Sequence, residues 1–216
     1  MRISFSYFGF LKSLRKRPPA VIPVAVLLLI ILAGVGSLFG QRGGAFRASR
    51  DHPAIRYTDG PVDNVVVDLN ADLQSGAASL TFDEVSGYLP SVLEFLNIPT
   101  ESQLLVFSPT SRQADLIRFD NPRAVFFVDD IAVGWVRGAE VLELAVQDRQ
   151  QGTVFYTLSQ AEAARPQFER REICLACHLS WDTLGVPGLQ VLSMFPMPKD
   201  KNAYASGHVT AHRSRL

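Results

Sequence analysis

The chain has 216 residues, 21 basic and 21 acidic side chains, and 47% hydrophobic residues. That hydrophobic share excludes a wholly disordered chain, and only two cysteines exclude a disulfide-dense scaffold. Residues 1–50 hold eight basic side chains and no acid, so the remainder carries a net charge of −8. An acidic body cannot grip a phosphate backbone, and no nucleic-acid partner is expected.

A basic segment, residues 1–19, precedes an uncharged run over 20–39. At about 1.5 Å per residue, a helix of this length spans about 30 Å, the hydrocarbon thickness of a bilayer. A cleaved signal peptide would have a shorter apolar region and a small-residue cleavage site, so an uncleaved transmembrane anchor is favoured. Five basic residues precede the run and three follow it, which predicts a cytoplasmic N-terminus. The main body is then exported to the periplasmic side of a bacterial cytoplasmic membrane. Residues 40–60, rich in Gly, Arg and Ser, are expected to form a tether.

Residues 61–160 read as an α+β domain. Val62–Leu69, with three consecutive valines, predicts a strand. Thr81-Phe-Asp-Glu84 has the form of a capping box and predicts a short helix stopped by Gly87. Pro90 suits the first turn of a second helix through Leu96, ending near Asn97. Gln103–Ser108 predicts a buried strand and Ser111–Phe119 a short helix. Ala124–Val128 and Ile131–Val136 flank Asp129-Asp130 as a hairpin. Val141–Val146 and Thr153–Leu158 extend this to an antiparallel meander of about four strands. Ser159–Glu172 is expected to be partly helical, and residues 161–216 form the last segment.

That last segment carries the chemistry. Cys174-Leu175-Ala176-Cys177-His178 contains both cysteines of the chain, three residues apart, with histidine next. The spacing is that of covalent c-type haem attachment. Two thiols on one side of a short turn can add to two porphyrin vinyl groups, and the next residue projects its imidazole at the iron. A thioredoxin-like thiol pair, and a zinc site completed by His208 and His212, are the alternatives. Export agrees with the haem reading, because cytochrome c maturation occurs outside the cytoplasmic membrane.

Further residues are weighed around this motif. Pro187 stands where a carbonyl could accept the imidazole N–H and fix its tautomer. Trp181 is expected in the core rather than on a porphyrin edge. Distal ligand candidates are His212, ranked first, then His208, Met197 and Met194, with an open position as the alternative. An open position would permit ligand binding and make the protein a haem enzyme or sensor. Arg165, Arg170 and Arg171 read as surface charge or, alternatively, propionate partners. Glu140 and Glu143 read as a solvated face, His52 as solvated, and Asp129-Asp130 as a turn.

Several stretches beyond the pentapeptide resemble a family of bacterial exported cytochrome c-like proteins of uncharacterised function. They are Gly87-Tyr-Leu-Pro90, Val106-Phe-Ser108, Asn121 through Trp135, Val154–Leu158, Cys174–His178 and Gly185-Val-Pro-Gly188. The resemblance implies haem binding at Cys174, Cys177 and His178, and electron transfer with a redox partner protein. Family members continue past the segment resembling His212–Leu216, so the resemblance implies that this chain is a fragment, a frameshifted product or a natural short form.

Overall fold

The computed structural model describes residues 46–194 and the strand at 209–213. The apolar run at 20–39, and the anchor expected there, lie outside the described residues. Among the described residues no helix is long and apolar enough to cross a membrane.

Six strands form one antiparallel sheet: β1 Leu104–Val106, β2 Arg123–Val128, β3 Ile131–Trp135, β4 Val141–Asp148, β5 Gly152–Ser159 and β6 Phe168–Arg170. Each pairs with the next in chain order, so the sheet is a meander. Short turns set the β2–β3, β3–β4 and β4–β5 pairings, because a strand that reverses within a few residues finds its predecessor first, while longer connections join β1 to β2 and β5 to β6. Asp129-Asp130 join β2 to β3, with Val128 opposite Ile131. Asp148 closes the β4–β5 turn: its carboxylate accepts the N–H groups of Gln150 and Gln151, both at 2.9 Å.

The mixed α+β class holds. Several elements differ from expectation. Val62–Leu69 is not a strand; helix α2, Val65–Ser75, follows the four-residue helix α1, Arg47–Arg50. Asn64 caps α2 by accepting the Val66 N–H, and Val66, Leu69 and Leu73 bury one helical face. That periodicity overrides the strand preference of the three valines. Thr81–Glu84 opens no helix. The Asp83 carboxylate takes the N–H groups of Val85 and Ser86, which makes a side-chain-closed turn instead.

Helix α3, Leu89–Phe95, carries its proline in the first turn as expected. Asn97, just past its end, has a left-handed φ of 52°. Strand β1 is an exposed edge rather than a buried strand. Ser111–Phe119 is a chain of turns, and Ser159–Glu172 contributes β6 rather than helix. Within the expected tether, Tyr57 is fully buried in the core.

Alternation along the strands sorts the sheet into two faces. Tyr156 Oη receives the Asn64 side-chain N–H at 3.1 Å, so α2 begins on the Tyr156 face. Leu142, Leu144, Leu158 and Val133 share that face through the register and are fully buried. Phe155 points the other way, together with Ala145, Ala132, Glu143 and Gly134.

Candidate functional site

The motif lies on the Phe155 face, and backbone bonds lead the chain there. Past β6, the Arg171 N–H donates to the Phe155 carbonyl at 2.8 Å. A 3-10 turn, Glu172–Cys174, then runs into the single-turn helix α4, Leu175–His178. Leu175 and Leu179 are buried in the core and pin both ends of α4. Cys174 and Cys177, three apart, share one side of this turn. Both thiols are free; Cys174 is half-buried and Cys177 exposed.

His178 packs its ring on Phe155, with centroids 4.5 Å apart. Its Nδ1 meets the Gly188 carbonyl at 3.1 Å. The Gly188 N–H returns a bond to the His178 carbonyl at 3.0 Å, closing the loop 179–188 behind the imidazole. The carbonyl meeting the imidazole is therefore that of Gly188, one residue beyond the expected Pro187. The Pro187 carbonyl instead accepts the Thr153 N–H at 2.9 Å and ties the loop to β5. Gly152 permits this approach, since a Cβ there would stand 2.4 Å from the Pro187 oxygen. Gln190 donates to the Cys177 carbonyl at 3.0 Å and holds the other flank.

These contacts set the protonation chemistry. Burial pushes the His178 imidazole below its ordinary pKa, and the Gly188 bond only partly offsets this. With Nδ1–H donated to Gly188, the neutral imidazole keeps its lone pair on Nε2, which has no hydrogen bond among the described residues. Burial, reinforced by the Glu143 carboxylate, pushes the Cys174 thiol up to about 11. A reactive thiol pair needs a lowered pKa, so this environment opposes the thioredoxin-like alternative.

Arg123 and Glu143 form an ion pair beside the motif that local sequence pattern does not reveal. Glu143 is mostly buried rather than part of a solvated face. Arg123 also donates to Ser111 Oγ at 3.1 Å and lies over Gly134, where a Cβ would meet its guanidinium at 2.4 Å. A glycine inside a strand was the available signal.

Other residues fall elsewhere. Trp181 is 80% exposed and not in the core. Arg170 stacks 4.3 Å over the Tyr57 ring and donates to the Tyr57 carbonyl and to Gln151 Oε1. Arg171 pairs with Glu169 at 3.2 Å. Met194 ends strand β7, Gln190–Met194, with its side chain buried and its N–H donated to Phe107. His212 belongs to β8, Val209–Arg213, where its backbone stands opposite Val191 of β7. His208 and Met197 lie outside the described residues. Among the described residues no group of three or more His, Cys, Asp or Glu side chains could hold a metal ion.

The donor set fits a c-type haem: two free thiols at the required spacing, and an imidazole whose Nδ1 is occupied while Nε2 has no hydrogen bond among the described residues. Comparisons with protein-family models, curated proteins and solved structures found no match.

Proposed function

We propose that this chain is a membrane-anchored, exported c-type cytochrome that transfers single electrons. The observation that carries the reading is the His178 imidazole, oriented by Gly188 with no hydrogen bond to Nε2 among the described residues, directly beside Cys174 and Cys177. Cys174 and Cys177 would hold the haem through thioethers, with His178 Nε2 as the proximal ligand. Bound there, the iron would supply a one-electron redox change.

The chain's own residues do the remaining work. The Gly188 carbonyl holds the proton at Nδ1, which fixes the tautomer and raises the basicity of Nε2. Phe155, Leu175 and Leu179 fix the imidazole and helix α4 against the sheet. His212 is the proposed distal ligand; its strand is tied to β7, which follows the motif loop directly. The acidic remainder of the chain, net −8 beyond residue 50, favours a basic redox partner through electrostatic steering.

The test is a reduced-minus-oxidised visible spectrum of the full chain after denaturing extraction, with the chain produced alongside haem maturation. A c-type spectrum that stays with the polypeptide is expected. No retained haem, together with two titratable thiols, overturns the reading. Carbon monoxide binding to the reduced protein would replace the His212 assignment with an open distal position.

A further inference from the structure

The loop after the motif is built in an unusual way. Its backbone is satisfied internally: Leu184 N–H donates to Trp181, Gly185 N–H to Ser180 and Val186 N–H to Thr183, at 2.9–3.2 Å. Its large apolar side chains nevertheless face outward: Trp181 is 80%, Leu184 75% and Val186 43% exposed. Leu184 adopts a left-handed φ of 58°, a conformation that costs a bulky residue free energy. A strained, ordered loop that displays tryptophan and leucine calls for an apolar or interfacial contact.

The imidazole fixes which side of the motif the loop occupies. The loop closes on the Nδ1 side of His178 through Gly188, whereas a ligated iron would sit at Nε2, on the other side of the ring. The path of the chain identifies a different occupant. Phe46, the first described residue, packs edge-on against Trp181 with centroids 4.9 Å apart, and lies against Gly185. In sequence, Phe46 follows Phe39, the end of the apolar run, by seven residues, a contour of at most about 25 Å.

We infer that the Trp181–Val186 loop, with Phe46, rests in the headgroup layer of the membrane that anchors the chain. Tryptophan is the residue suited to that layer, with an apolar ring and a polar N–H. Asp182 limits the depth, since a carboxylate is costly to carry into hydrocarbon. The consequence is orientation: the motif is presented close to the membrane surface, so its partner is a membrane-associated carrier or complex. The loop contact rests on the anchor reading above, and the nature of the partner rests also on the haem reading.

The test uses the full chain in vesicles of phosphatidylethanolamine and phosphatidylglycerol, with a photoreactive p-benzoylphenylalanine in place of Trp181, Leu184 or, as control, Val85. Val85 is 78% exposed on a different turn. Lipid adducts at 181 and 184, about tenfold above those at 85, are expected of side chains at the interface. Adducts to a second copy of the chain, or lipid yields no higher than at 85, overturn the inference. Carbonate extraction reports the anchor and the visible spectrum reports the haem on the same samples, so failure of the contact alone is distinguished from failure of either reading. A carbonate-released chain overturns the anchor and this contact together.

Discussion

On the α2 face of the sheet, Leu142, Leu144, Leu158 and Tyr156 are large, buried and closed over by the core cluster. On the other face the same strands carry Ala132, Gly134 and Ala145, with Phe155 and the Arg123–Glu143 pair the principal large groups beside the motif. Large apolar side chains on the first face remove the most surface from water and supply stability. Small residues on the second leave room for a turn of helix and an imidazole. One sheet thus carries the helix-covered core on one face and the motif on the other, with Phe155 serving both the core and the site.

Four substitutions can break or sharpen that contrast, each read by urea denaturation of the full chain in detergent. Phe155→Ala should have the largest effect, costing about 4 kcal/mol by opening a cavity. It should also impair haem retention, because it removes the ring under His178. Leu144→Ala should cost about 3 kcal/mol on the opposite face. The haem-loaded fraction of folded protein should not change. If both variants lose haem equally at matched stability, the two faces are not separable.

Asn64→Ala should cost about 1 kcal/mol, through loss of the α2 cap and of the bond to Tyr156. The visible spectrum should be unaltered. Tyr57→Phe should have the smallest effect at neutral pH, about zero, because Tyr57 Oη is buried without a hydrogen bond among the described residues. Its effect should emerge in alkali. Burial raises Tyr57 to about 12, above the value of about 10 for an unfolded tyrosine. Between those values the unfolded chain has released the proton and the folded chain keeps it, so stability falls as pH rises. The variant should show a smaller loss, with the remainder from Tyr156 and Cys174, whose burial also raises them, and an alkaline loss equal to that of the wild type would contradict the assignment.

The meander was legible because its signals are local. Val128 and Ile131 pair directly across two turn residues, and the β-branched runs on either side leave few other arrangements. Helix α2 reads as a strand in sequence because Val65-Val66-Val67 favours one. The decisive signals were Asn64 as a cap and Leu69 and Leu73 at helical spacing. Thr81–Glu84 misleads because Asp83, between the two capping residues, captures the backbone first.

By itself, the sequence determined the α+β class, most of the meander and the pentapeptide on which the haem proposal stands. Covalent attachment chemistry depends on spacing along the chain, and spacing is readable without a fold. Tertiary structure alone decided that Gly188, not Pro187, meets the imidazole, that Phe155 supports it and that Arg123 pairs with Glu143 beside it. It also turned Trp181 outward against Phe46. Those contacts join residues distant in sequence, and their partners follow from strand register and loop path rather than from local pattern.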